Sequence, residues 1–144
     1  MAIAVPPIEI LLIEDNAADV RLTVEAFKEA RVANRLHVAR DGVEAIRMLK
    51  EPDSTSPRPD LILLDLNLPR KDGREVLAEI RQDDALRHIP VVILSTSQAD
   101  QDILHSYRLG ANAFITKPVE IDQFFEVVRS LEQFWLAVAT LTRP

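Results

Sequence analysis

The residue types that could carry chemistry lie at the ends of four short, mostly apolar runs. They are the carboxylates Glu14 and Asp15, the carboxylate Asp65, the hydroxyl of Ser95 and the ammonium of Lys117. Clustered carboxylates cannot all stay ionised without a counter-charge, because like charges raise one another's pKa. A hard divalent cation such as Mg²⁺, which prefers oxygen ligands, supplies that charge. A nucleophilic aspartate, a metal, a lysine and a hydroxyl donor would together equip a site for a phosphoryl group.

The element that must position Asp65 is a buried strand. Leu61–Asp65 is an apolar run closed by a carboxylate, and Pro69 soon prevents the strand from continuing. A run this short and this apolar is typical of a parallel strand that is buried on both faces. Such a strand carries Asp65 to the carboxyl end of a sheet, which is where open α/β folds place their chemistry.

Apolar runs and helical periodicity alternate along the rest of the chain. The runs predict strands at residues 8–13, 36–39, 61–65, 91–94 and 113–116. The periodicity predicts helices at about residues 18–30, from 41 onward, around 76–80, at 98–109 and from 121 toward 141. Five strands that alternate with five helices indicate an α/β fold with a parallel sheet and right-handed crossovers.

The composition limits the kinds of protein this chain can be. A length of 144 residues with 47% hydrophobic residues predicts one domain with a full core. The net charge of −6, without a cluster of basic residues, argues against a nucleic-acid surface. The absence of cysteine excludes thiol catalysis, and no apolar stretch reaches the roughly 18 residues of a membrane span. These features predict a cytoplasmic protein that engages neither nucleic acid nor a membrane.

The four runs and their flanking residues resemble the receiver domain of two-component response regulators. The matching motifs are Leu12-Ile13-Glu14-Asp15-Asn16, Leu63-Leu64-Asp65-Leu66-Asn67-Leu68-Pro69 with Asp72-Gly73, Pro90-Val91-Val92-Ile93-Leu94-Ser95 and Gly110-Ala111-Asn112-Ala113-Phe114-Ile115-Thr116-Lys117-Pro118. The resemblance implies a flavodoxin-like receiver fold with a doubly wound five-stranded parallel sheet in the order 2-1-3-4-5, five helices and an extended last helix. It implies one receiver domain over residues 1–144, with a core at about 8–134, a C-terminal extension at about 132–144 and no output domain.

The resemblance also implies a role for each residue of the site. Asp65 would be the phosphoacceptor, and Lys117 would pair with the phosphoryl group. Glu14, Asp15 and Asp65 would hold Mg²⁺ together with the backbone carbonyl of Asn67, and Mn²⁺ or Ca²⁺ could substitute in a crystal. Glu14 stands where many receivers have aspartate, which lengthens one arm of the metal site.

Two further features concern signalling. Ser95 would bond the phosphoryl group and form a switch with Phe114. Phe114 occupies a position often held by tyrosine and, without a hydroxyl, would act through packing alone.

A finer resemblance, to the single-domain receivers that partner bacterial phytochrome histidine kinases, is carried by residues 15–20, 51–59, 94–97, 105–107 and 132–136. It implies a phytochrome histidine kinase as partner and a homodimer surface at Phe134 and Trp135. The alternative for that tail is a long helix that packs on its own domain.

The function predicted is that of a phosphoacceptor switch rather than an enzyme, with self-catalysed phosphorylation and dephosphorylation at Asp65. A phosphatase with an aspartate nucleophile would need a second carboxylate two residues later, where this chain has Asn67. A nucleotide-binding flavodoxin-like module would need a glycine-rich first turn, where this chain has Glu14 and Asp15. All the residues that phosphorylation requires are present, which argues against a pseudo-receiver that acts only by protein binding. That pseudo-receiver and a phosphorelay intermediate are the remaining alternatives.

Overall fold

The computed structural model describes residues 7–30, 33–95, 108–117 and 119–130. Their elements, in chain order, are β1 (Ile8–Ile13), α1 (Ala17–Lys28), β2 (Asn34–Ala39), α2 (Gly42–Lys50), β3 (Leu61–Asp65), α3 (Gly73–Gln82), β4 (Val91–Ser95), β5 (Ala113–Thr116) and α4 (Ile121–Ser130). The five strands pair in parallel in one sheet of order β2-β1-β3-β4-β5, which confirms the predicted fold and strand order.

The described part of the chain contains four helices where the sequence predicted five. The difference arises because most of the predicted helix at 98–109, and the predicted extension of the last helix, lie outside the described residues. None of the helices in the described ranges has the length and apolarity that crossing a membrane requires.

The sheet has a hydrophobic cluster on each face, because successive strand residues point to opposite sides. Ile62 and Leu64 pack with α2 and α3 on one face, whereas Leu61 and Leu63 pack with α1 and α4 on the other. On the second face Phe27 of α1 meets Phe124 of α4 edge to face, with ring centroids 4.7 Å apart. All of β3 is therefore buried, as its apolar sequence predicted, and its last residue, Asp65, lies at the carboxyl end of the sheet.

Strand β2 begins at Asn34, two residues before the predicted start. Asn34 and Arg35 are polar, yet they pair in register with Ile8 and Glu9 of β1. β2 lies at the edge of the sheet, so polar side chains can point to solvent while the backbone stays paired. An apolar run therefore marks the whole of a central strand but only part of this edge strand.

The guanidinium of Arg81, near the end of α3, ties together the segments that precede β4 and β5. Its Nε donates to the carbonyl of Gly110, its Nη1 to the carbonyls of Arg87 and Ile89, and its Nη2 to Oδ1 of Asn112, each at 2.8 Å. Gly110 has a φ of +103°, and a Cβ there would lie 2.9 Å from Cγ of Arg81. This position therefore requires glycine on both conformational and steric grounds.

We expect Arg81→Lys to lower the free energy of unfolding by about 2–3 kcal/mol, because one ammonium cannot replace a planar guanidinium that serves four acceptors. Urea unfolding monitored by circular dichroism measures the change. Arg87→Lys is the matched control: the Arg87 guanidinium pairs with Asp84, and their side chains are 65% and 92% exposed. The control should change stability by less than about 0.5 kcal/mol. Equal stability of the two variants would contradict the conclusion that the Arg81 guanidinium stabilises the segments before β4 and β5.

Candidate functional site

The carboxyl ends of four parallel strands bring the predicted polar residues to one edge of the sheet. Glu14 directly follows β1, Asp65 ends β3, Ser95 ends β4 and Lys117 directly follows β5. The backbone N–H of Lys117 donates to the carbonyl of Ser95 at 3.0 Å, which continues the pairing of β4 and β5 to the site. Residues that lie far apart in the sequence therefore meet at one place.

The ammonium of Lys117 lies at the centre of this site and contacts three carboxylates. Its Nζ is 2.5 Å from Oε1 of Glu14, 3.0 Å from Oδ2 of Asp19 and 3.0 Å from Oδ2 of Asp65. The Lys117 side chain is only 9% exposed. Burial alone would lower the pKa of Lys117, but its hydrogen bonds with Glu14, Asp19 and Asp65 outweigh burial and raise that pKa. Lys117 therefore stays charged and offers one N–H to each carboxylate.

The carboxylates of the site are crowded. Burial, together with the neighbouring Asp65, raises the pKa of Glu14 to about 7, and Lys117 opposes that rise. Glu14, Asp15 and Asp65 each offer one oxygen, and the three oxygens lie within 4.8 Å of one another. An all-oxygen donor set of this kind fits a hard divalent cation such as Mg²⁺. We call Glu14, Asp15 and Asp65 the acidic triad.

The chain turns sharply after Asp65, and the turn fixes the orientation of its carboxylate. The backbone N–H of Asn67 donates to Oδ1 of Asp65 at 3.0 Å, and that of Gly73 donates to the carbonyl of Leu66 at 3.0 Å. A Cβ at Gly73 would lie 2.6 Å from Cα of Leu66, so the close approach depends on glycine. Asn67 is thus placed beside Asp65, while metal binding by its carbonyl stays a prediction.

The other predicted functional residues differ in how the structure places them. Ser95 is buried at the site, and Phe114 is half-buried in β5, where it packs on the cluster that contains α2 and α3. Their predicted action as a switch remains a prediction. Phe134 and Trp135, which were predicted to form a dimer surface, lie outside the described residues.

Sequence reasoning missed Asp19, although this residue contacts Lys117 directly. Asp19 lies in the first turn of α1, and α1 begins close to the point where β1 delivers Glu14. The available signal was therefore helical position: an acidic residue in the first turn of a helix that starts at the carboxyl end of a parallel sheet.

A buried lysine opposite an acidic triad, at the carboxyl edge of a five-stranded parallel sheet, defines a class of α/β proteins equipped to hold a divalent cation and a phosphoryl group. Comparison with known families gives the same class. The family model described as the response regulator receiver domain matches residues 10–129. This chain belongs to the response regulator receiver family, as its motifs predicted. Receiver domains bind Mg²⁺, and the acidic triad offers a set of oxygen donors that fits this ion.

The most similar relatives include response regulators of phytochromes. Response regulator Rcp1 of Synechocystis sp. is 48% identical over 138 residues, which cover 94% of both chains. The structure of its Mn²⁺-bound form has a TM-score of 0.72 and matches 90% of this chain and 95% of that one. The phosphorylated cyanobacterial phytochrome response regulator RcpA is 50% identical, with a TM-score of 0.74 over 93% of this chain and 97% of its own.

The bacteriophytochrome response regulator AtBRR is 46% identical, with a TM-score of 0.79, and the match covers 88% of this chain and 94% of AtBRR. The predicted relationship to the phytochrome response regulators is thus confirmed. The relatives also include a metal-bound and a phosphorylated receiver, which are the two states that the predicted chemistry requires.

Proposed function

We propose that this chain is a phosphoacceptor switch that takes a phosphoryl group from the phosphohistidine of a sensor histidine kinase onto Asp65. The observation that carries the proposal is the Lys117 ammonium, which lies 3.0 Å from the Asp65 carboxylate inside a set of donors suited to Mg²⁺. The relatives RcpA and AtBRR, a phytochrome and a bacteriophytochrome response regulator, support a phytochrome as the kinase. A kinase partner of this kind would place the chain in the cytoplasm.

In the proposed reaction a carboxylate oxygen of Asp65 attacks phosphorus and forms an acyl phosphate. The bond from phosphorus to the histidine nitrogen breaks, and the electron pair of that bond returns to the imidazole. Glu14, Asp15, Asp65 and the carbonyl of Asn67 would hold Mg²⁺, which when bound would neutralise charge on the phosphoryl oxygens. The bond between Asn67 N–H and Oδ1 fixes the Asp65 carboxylate, so the nucleophile is already oriented.

Lys117 supplies a fixed positive charge on the other side of Asp65. Because it already contacts three carboxylates, it needs to exchange only the Asp65 contact for a phosphoryl oxygen, and its raised pKa keeps it charged. The Ser95 hydroxyl would donate to the same group. Movement of Ser95 toward the phosphoryl group would open space for Phe114 and change the surface formed by the predicted helix at 98–109, β5 and α4. Attack of water on the acyl phosphate would return Asp65 to its starting state.

The remaining parts of the proposal concern the C-terminal region. A last helix that extends beyond Ser130 would present Phe134 and Trp135 to a second copy of the chain and form a homodimer. The support for this part is the sequence resemblance of the tail, with its apolar residues at helical spacing.

The proposal is tested by the intact mass of the full chain after incubation with acetyl phosphate and Mg²⁺. We expect the mass of one phosphoryl group to be added per chain, and we expect a chelator to prevent the addition. Light scattering on the same samples reports whether the phosphorylated and unphosphorylated chains are dimers. No adduct at any Mg²⁺ concentration would contradict the proposal and favour a pseudo-receiver that acts only by protein binding.

A further inference from the structure

The carboxylate of Asp19 reaches Lys117 across 98 residues of sequence, with Oδ2 3.0 Å from Nζ. Helix α1 holds Asp19 in this position. The Asp19 N–H donates to Oδ1 of Asn16 at 3.0 Å, and the buried Thr23 hydroxyl donates to the Asp19 carbonyl at 2.8 Å. Since the backbone on both sides is anchored, the contact with Lys117 is a property of the fold rather than of a loose surface side chain.

Helix capping does not account for the Asp19 carboxylate. An acidic residue at the third position of a helix often accepts a hydrogen bond from the backbone N–H of the capping residue. Here the capping residue is Asn16, and its N–H donates to Oε2 of Glu14 at 3.3 Å instead. The Asp19 side chain is 27% exposed and turns toward the ammonium of Lys117.

Lys117 and a divalent cation would bind two of the same carboxylates. Of the three carboxylates that contact Lys117, those of Glu14 and Asp65 also belong to the acidic triad, whose oxygens lie within 4.8 Å of one another. Asp19 does not belong to the triad. It is therefore the partner that Lys117 can keep when a cation engages the other two.

We infer that Asp19 is a positioning residue, which holds the Lys117 ammonium in the site while Glu14 and Asp65 serve the divalent cation. The inference rests on the proposed function, since both the cation and the lysine are required by it. Without the Asp19 charge, the ammonium would have only the two triad carboxylates to pair with. It would then compete with the cation for them and repel it at close range.

The inference predicts that Asp19→Asn weakens Mg²⁺ binding by about fivefold, which is the effect of losing one ion pair worth about 1 kcal/mol. Isothermal titration calorimetry of the full chain with MgCl₂ measures the dissociation constant. The same substitution made in a Lys117→Met background should change that constant by less than about twofold, because Asp19 then has no ammonium to hold. Asp19→Glu, which keeps the charge, should restore most of the affinity.

A matched control is Glu25→Gln, which removes one negative charge from the same helix. Glu25 pairs with Lys28 at the surface, and this substitution should leave Mg²⁺ binding unchanged. Three results would overturn the inference: an equal loss of affinity in both backgrounds, no loss in the wild-type background, or no Mg²⁺ binding by the wild-type chain. The titration with MgCl₂ does not involve phosphorylation, so its outcome is separate from that of the phosphorylation test. A chain that binds Mg²⁺ in the expected pattern but never gains a phosphoryl group would refute the proposed function alone.

Discussion

An Asp65→Asn chain will gain no detectable phosphoryl group from acetyl phosphate and Mg²⁺, whereas the wild-type chain will gain one. The amide keeps the size of the side chain and an oxygen that can accept the Asn67 N–H, but it is not a carboxylate nucleophile. The substitution also removes one of the three carboxylates that contact Lys117, which is also a member of the acidic triad. Intact mass spectrometry measures the adduct, and peptide mapping of the wild-type product identifies the modified residue.

Asp60→Asn is the matched control for this experiment. Asp60 immediately precedes β3, at the opposite end of the strand from Asp65, and its Oδ2 accepts the N–H of Glu9 at 2.9 Å. Asparagine can keep that hydrogen bond, so this variant should be phosphorylated like the wild type. An adduct of full yield on the Asp65→Asn chain would place the nucleophile elsewhere and reject the assignment of Asp65.

Lys117→Met will lower the stability of the metal-free chain and increase the stabilisation that Mg²⁺ provides. Without metal, we expect the free energy of unfolding to fall by about 3 kcal/mol, because removing one partner leaves buried carboxylates without a counter-charge. Glu14 is 1% exposed and the Asp65 side chain is 5% exposed, so water cannot replace the ammonium efficiently. Urea unfolding in the presence of a chelator measures this loss.

With Mg²⁺ added, the Lys117→Met chain should gain more stability than the wild type. A ligand that binds only the folded state stabilises it by RT ln(1 + [L]/Kd), and the Kd should be lower when no ammonium competes for Glu14 and Asp65. The matched control is Lys50→Met, since Lys50 pairs with Glu79 at 3.2 Å, away from the triad. Its response to Mg²⁺ should equal that of the wild type. An equal response of the Lys117→Met chain would mean that lysine and cation do not compete.

The sequence by itself determined which residues meet at the carboxyl end of the sheet, where the site lies. Apolar runs identified β1, β3, β4 and β5, and the polar residues at the ends of these strands include Glu14, Asp65, Ser95 and Lys117. In a parallel sheet every strand ends at the same edge, so convergence follows from strand direction alone. The exact start of β2 did not follow, because an edge strand tolerates polar side chains that interrupt its apolar pattern.

Only the tertiary structure decided the partners of the side chains. The contact of Asp19 with Lys117 depends on where the first turn of α1 lies relative to the end of β5, and the four bonds of Arg81 depend on where the turns before β4 and β5 lie. No periodicity or spacing in the sequence predicts either contact. The burial of a residue follows largely from the apolar character of that residue and its neighbours in the sequence, so it can be predicted from the sequence. A hydrogen bond between distant residues instead requires atomic positions that the packing of the whole domain fixes.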